Sequence, residues 1–123
     1  MGSGRQRSAI LVVEDETLVR MLGMDVLADA GFDVLEAADA DEALTILKSH
    51  DDVQLLFSDI DMPGSMDGLE LARLVHQRWP EIRLLLTSGH HQLPPEALPD
   101  DGRFVRKPWT REVLIEKIRT ALG

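Results

Sequence analysis

Short apolar runs alternate along the chain with stretches whose apolar residues recur at helical spacing. Residues 9–13, Ala-Ile-Leu-Val-Val, form a continuous β-branched-rich run, as in a parallel-sheet strand covered on both faces. Across residues 16–30, Leu18, Met21, Leu22 and Val26 keep helical spacing, and Gly31 stands where such a helix would stop. Residues 33–37 read as a second, weaker strand. Asp39 with Glu42 three positions on is a capping-box pattern, and it opens a helix carrying Ala43, Leu44 and Leu47.

Residues 54–59 predict a third strand with Leu55, Leu56 and Phe57 at its centre. Met62-Pro63-Gly64 is a loop, and Asp67 with Glu70 repeats the capping-box pattern. The helix that follows would turn Leu69, Ala72, Val75 and Trp79 inward, with Pro80 ending it. Residues 82–87 are a fourth apolar strand and residues 104–106 a short fifth. Thr110 then caps a last helix with Leu114, Ile118 and Leu122 inside. Alternation of this kind predicts an α/β fold: a doubly wound, five-stranded parallel sheet with right-handed crossovers and helices on both faces. In such folds chemistry gathers beyond the carboxyl ends of the strands.

Those ends carry a consistent set of groups. Glu14, Asp15 and Glu16 follow the first strand, Asp59 ends the third, Thr87-Ser88 the fourth, and Lys107-Pro108 the fifth. A doubly wound sheet brings these ends to one rim. Carboxylates held close together repel one another, and a divalent cation relieves the repulsion. Oxygen donors without imidazole or thiolate favour Mg2+ over zinc or copper. Asp59 is then placed as a nucleophile toward phosphorus, with the metal, Lys107 and the Thr87 hydroxyl meeting the phosphoryl oxygens. Singly, each group has an ordinary reading as a cap, strand residue or surface charge. Four at the correct strand ends make the signal.

Composition narrows the setting. A chain of 123 residues fits one domain, with residues 1–7 as flexible lead-in and 8–123 as the folded unit. It contains no cysteine, which excludes disulfides and thiolate metal sites. The formal charge of −9 argues against a nucleic-acid surface. With no apolar run of membrane-spanning length and no leader pattern, a cytoplasmic protein without membrane contact is expected.

The motifs resemble the receiver domains of bacterial two-component response regulators. The matching text is residues 10–16 (Ile-Leu-Val-Val-Glu-Asp-Glu), 57–64 (Phe-Ser-Asp-Ile-Asp-Met-Pro-Gly), Met66-Asp67-Gly68, residues 86–89 (Leu-Thr-Ser-Gly) and residues 105–108 (Val-Arg-Lys-Pro). The resemblance implies a flavodoxin-like strand order of 2-1-3-4-5. It implies that Asp59 takes a phosphoryl group from a phosphohistidine of a sensor histidine kinase or a histidine phosphotransfer protein. Glu14 and Asp15 match the family's acidic pair, which holds Mg2+ with Asp59 and the main-chain carbonyl of Asp61. Thr87 and Lys107 match its switch hydroxyl and lysine, and the Lys107-Pro108 bond would be cis. Phosphorylation would shift a two-state, partner-binding surface.

Departures from the pattern bear on the readout. Phe104 stands where many receivers carry a switching tyrosine; it can fill the same pocket but has no hydroxyl to donate. Residues 90–102 contain Pro94, Pro95 and Pro99, so the usual fourth helix is expected to be shortened or replaced by a loop. The dimer that many members form through the fourth helix, fifth strand and fifth helix is therefore not carried over. His90 and His91, without further ligands, read as a solvated pair. Trp109 is expected at the base of the last helix, and Met62 and Met66 as gap-fillers around the acceptor loop.

Three rival readings fit the sequence less well. A haloacid-dehalogenase-type phosphatase would use Asp59 and Asp61 as nucleophile and acid, but its motif order is the reverse of this one. A flavodoxin-like cofactor module would need a phosphate-cradling loop where Glu14-Asp15-Glu16 stands. A non-phosphorylated pseudo-receiver would lack part of a set that is complete here. The expected protein is thus a signalling domain with at most self-catalysed phosphotransfer, either stand-alone or excised from a hybrid kinase or larger regulator.

Overall fold

The computed structural model of the protein describes residues 9–89 and 103–123. In chain order these form β1 (Ala9–Val13), α1 (Thr17–Asp29), β2 (Asp33–Ala37), α2 (Ala40–Ser49), β3 (Val53–Asp59), α3 (Gly68–Arg78), β4 (Arg83–Ser88), β5 (Arg103–Arg106) and α4 (Arg111–Leu122). The strands make one parallel sheet in the order β2-β1-β3-β4-β5, as expected for a doubly wound fold. The expectations for residues 1–7 and 90–102, including the shortened fourth helix and the His90-His91 pair, lie outside the described residues.

Alternate strand residues build two cores. Leu11, Val13, Leu56, Leu84 and Leu86 face Ala43 and Leu47 of α2 and Leu71, Ala72 and Val75 of α3. Ile10, Val12, Leu55, Phe57, Leu85 and Val105 face Val26 and Leu27 of α1 and Leu114, Ile118 and Ala121 of α4. Every residue of β1 is buried, which is why it reads as an unbroken apolar run rather than an alternating one.

The inner faces of three helices differ in detail from the sequence pattern. In α1 the buried residues are Gly23, Val26 and Leu27, while Leu18, Met21 and Leu22 are 81%, 52% and 56% exposed. The rings of Phe57 and Trp109 lie about one atom's contact from where a Cβ on Gly23 would be, at 3.8 Å, so the helix turns its smallest residue to them. In α3, Leu71 takes a fully buried place and Leu69 packs only partly against the core. In α4, Ala121 is buried and Leu122 only partly so.

The caps form as patterned. Asp39 and Asp67 accept from the N–H groups of Glu42 and Glu70 at 2.9 Å each, and Thr110 accepts from Val113 at 3.1 Å. The Asp67–Glu70 box is reciprocal, whereas the Glu42 carboxylate reaches Ala38 N–H, one residue before the cap. Among the described residues, no helix is long and apolar enough to cross a membrane.

Candidate functional site

Parallel register delivers the candidate groups to one rim. Asp59 pairs with Thr87 across β3 and β4, and Thr87 pairs with Val105 of β5, two residues before Lys107. Ile60 N–H donates to the Thr87 carbonyl at 2.9 Å, and Lys107 N–H to the Ser88 carbonyl at 3.1 Å, extending the sheet pattern past the strand ends. The Lys107-Pro108 peptide is cis.

Asp59 and Glu14 are both 4% exposed, and Lys107 ties them together. Its Nζ donates to Glu14 Oε1 at 2.8 Å and to Asp59 Oδ2 at 3.2 Å. The remaining carboxylate oxygens are held by main-chain donors: Glu16 N–H to Glu14 Oε2 at 3.0 Å, and Asp61 N–H to Asp59 Oδ1 at 3.2 Å. Glu14, Asp15 and Asp59 each place one oxygen within 4.8 Å of the others. Three carboxylates and one ammonium leave two negative charges uncompensated, which suits a divalent cation held by oxygen donors.

The ionisation of the site follows from these neighbours. Burial, together with the hydrogen bond and charge of Glu14, pushes the Asp15 carboxyl above its ordinary value. For Lys107, burial works against the charge, but the hydrogen bond to Glu14 and the charges of Asp59 and Glu14 outweigh it and raise its pKa. Thr87 is 3% exposed, and its Oγ1 has no hydrogen-bond partner among the described residues. An unsatisfied buried hydroxyl costs roughly 1–3 kcal/mol. Thr87 lines a cavity of about 10 Å³, room for one water, together with Glu14, Asp59 and Trp109. Phe57 also lines it, and the Trp109 ring lies 6.1 Å from that of Phe57, tilted by 60°.

Three supporting residues carried little signal in the sequence. Arg20 of α1 donates to the Glu14 carbonyl at 2.7 Å and to Glu36 of β2 at 2.9 Å, pinning the loop after β1. Gly68 lies so close to the acceptor that a Cβ there would fall 2.0 Å from the Asp59 carbonyl oxygen. Ser88 donates to Asp61 Oδ2 at 2.6 Å. Gly68 stood in the Met66-Asp67-Gly68 motif and Ser88 in the motif of residues 86–89, but neither motif announced these contacts, and Arg20 stood in none. Phe104 is half-buried against the core shared with α2 and α3. A larger groove of about 400 Å³ lies at the opposite ends of β3 and β4, beside His50, Trp79 and Leu122, away from every candidate residue.

Residues 10–119 match the family model of the response regulator receiver domain. The chain belongs to that family. The receiver is 32% identical over 120 residues to a chemotaxis protein CheY homolog of Campylobacter jejuni, covering 93% of this chain and 92% of that protein. It is 34% identical over 119 residues to the sensor kinase CckA of Brucella abortus, covering 94% of this chain but 12% of that protein. The chain thus spans a small part of some curated relatives and nearly all of others. Among solved structures it superposes on the receiver domain of the hybrid histidine kinase CckA with a TM-score of 0.81 at 32% identity, covering 94% of this chain and 100% of that one. It matches the response regulator TrrA of Thermotoga maritima, in complex with Mg2+-BeF, with the same TM-score at 28% identity, over 94% and 99% of the two chains. Receivers are phosphoacceptor domains of two-component signal transduction, and this membership disposes of the phosphatase and cofactor-module readings.

Proposed function

We propose that Asp59 is the phosphoacceptor, with residues 8–123 forming the receiver. The observation that carries this reading is the buried pair Glu14 and Asp59 bridged by Lys107, with Asp15 beside them. An Asp59 carboxylate oxygen attacks the phosphorus of a phosphohistidine; the new P–O bond forms as the P–N bond breaks and the imidazole leaves. Mg2+ would be held by Glu14, Asp15, Asp59 and the Asp61 main-chain carbonyl, and it supplies charge neutralisation at the phosphoryl oxygens. Lys107 supplies a second, fixed positive charge, and Asp61 N–H keeps the carboxylate oriented.

Thr87 is the switch. Its hydroxyl is buried beside the acceptor without a hydrogen-bond partner among the described residues, and a phosphoryl oxygen on Asp59 gives it one. That gain biases the end of β4 toward the acceptor, and Phe104 of β5, which pairs with Leu86 of β4, follows as a second switch residue. The donor is a sensor histidine kinase or histidine phosphotransfer protein, in the cytoplasm. The exposed stripe of Leu18, Met21 and Leu22 on α1, adjacent at helical spacing, is the surface offered to it.

Incubation with Mg2+ and a small acyl phosphate tests the reading by intact mass. A labile phosphoryl adduct is expected on wild type and absent from Asp59→Asn or in the presence of a chelator. An adduct that persists in Asp59→Asn, or no adduct on wild type, refutes the assignment.

A further inference from the structure

The end of β4 makes one contact that the acceptor chemistry leaves unused. Ser88 is fully buried, and its hydroxyl donates to Asp61 Oδ2 at 2.6 Å. That length marks a short, strong O–H···O hydrogen bond. Asp61 lies two residues past Asp59 and is hydrogen-bonded to it through its own N–H. A carboxylate tethered there is a natural fourth member of the acidic cluster. Yet the oxygens that gather within 4.8 Å belong to Glu14, Asp15 and Asp59. The Asp61 side chain is held toward β4 instead.

We propose that Ser88 is a positioning residue that keeps the Asp61 carboxylate out of the cation site, so that residue 61 contributes only its main-chain carbonyl. The inference rests on the magnesium-dependent acceptor reading above. Three carboxylates with Lys107 leave the site at a charge matched by one divalent ion. A fourth carboxylate would hold the cation more tightly, occupy a coordination position that a phosphoryl oxygen needs, and repel the incoming phosphoryl group. The Ser88 hydroxyl therefore sets a looser metal site in favour of phosphoryl access.

Calorimetric titration of Mg2+ alone into wild type, Ser88→Ala, Asp61→Asn and the double variant tests this, alongside the rate of phosphate uptake from a small acyl phosphate. Ser88→Ala is expected to bind Mg2+ about 30-fold more tightly, the effect of one negative charge on a divalent ion some 4 Å away in near-water dielectric, and to accept phosphate more slowly. Adding Asp61→Asn should bring the double variant to within about twofold of Asp61→Asn alone. Simple loosening of the loop would weaken Mg2+ binding, which is the opposite sign. Unchanged or weaker binding by Ser88→Ala overturns the proposal, as does a tightening that survives Asp61→Asn. Should alanine at position 88 not fold, Ser88→Cys, which fills the space but donates weakly, is held to the same outcomes. A wild-type protein that binds no Mg2+ overturns the acceptor reading as well; binding by wild type with no shift in the variant overturns this proposal alone.

Discussion

Gly68→Ala tests whether the start of α3 is built against the acceptor itself. A Cβ on Gly68 would stand 2.0 Å from the Asp59 carbonyl oxygen, 2.7 Å from its carbon and 2.8 Å from Ile60 Cα. All three are main-chain atoms, so no side-chain rotation relieves the overlap. Restoring ordinary contact at about 3.4 Å requires the helix start and the β3 end to part by roughly 1.4 Å. That movement strains the Gly68 N–H to Ile60 carbonyl bond, now 3.0 Å. Overpacking of this kind costs about 1–3 kcal/mol, and alanine's better helix propensity returns at most about 1 kcal/mol. A net loss of about 1–2 kcal/mol should lower the urea midpoint without changing the slope. Displacing the acceptor by about 1 Å should slow phosphorylation by up to roughly 100-fold. Gly89→Ala is the control, since its Cβ would meet Lys107 Cβ at an ordinary 3.7 Å. A Gly68→Ala protein with wild-type midpoint and phosphorylation rate would refute the reasoning.

Lys107→Met leaves Glu14 and Asp59 buried without their cation and should destabilise the metal-free protein by about 2–4 kcal/mol, with Mg2+ restoring more stability to the variant than to wild type. Because the Lys107 pKa is raised on folding, its contribution is complete below the unfolded value of about 10.5 and is lost as pH rises through the folded value. Urea midpoints at alkaline pH should therefore fall in wild type and show less of that fall in the variant. Asp15→Asn should have opposite effects on stability and function. The raised Asp15 pKa means its charge opposes folding at neutral pH, so the metal-free variant gains less than about 1 kcal/mol, an advantage that fades as pH falls toward 3.8, while calorimetry records a large loss of Mg2+ affinity. Replacing Leu18, Met21 and Leu22 by serine should cut phosphorylation by a cognate kinase at least tenfold, leave acyl-phosphate labelling within about twofold, and shift stability little because these side chains are exposed.

Local pattern was enough for the elements and for most of the candidate site. The unbroken apolar runs of β1 and β4, the Asp39 and Asp67 caps and the Gly31 stop each depend on neighbours within a few positions, so they can be read along the chain. Strand-end placement also made Glu14, Asp15, Asp59, Thr87 and Lys107 legible as a group, because a parallel doubly wound sheet permits one rim. Their pairing is another matter. Lys107 meets Glu14 across 93 positions and Asp59 across 48, and the registers of β5 on β4, of β4 on β3 and of β3 on β1 together determine that one ammonium reaches both. Spacing did not settle the inward face of α1 either: Leu18, Met21, Leu22 and Val26 share helical spacing, yet of the four only Val26 is buried. Packing against Phe57 and Trp109 selected the face with Gly23 and left the larger residues in solvent. The same holds for the contact between Ser88 and Asp61: both stood in named motifs, but nothing linked the two side chains until the sheet brought hydroxyl and carboxylate within 2.6 Å. Short-range periodicity and capping chemistry are written into consecutive residues, whereas charge pairing and the choice of a buried face depend on distances that exist only once the strands have aligned.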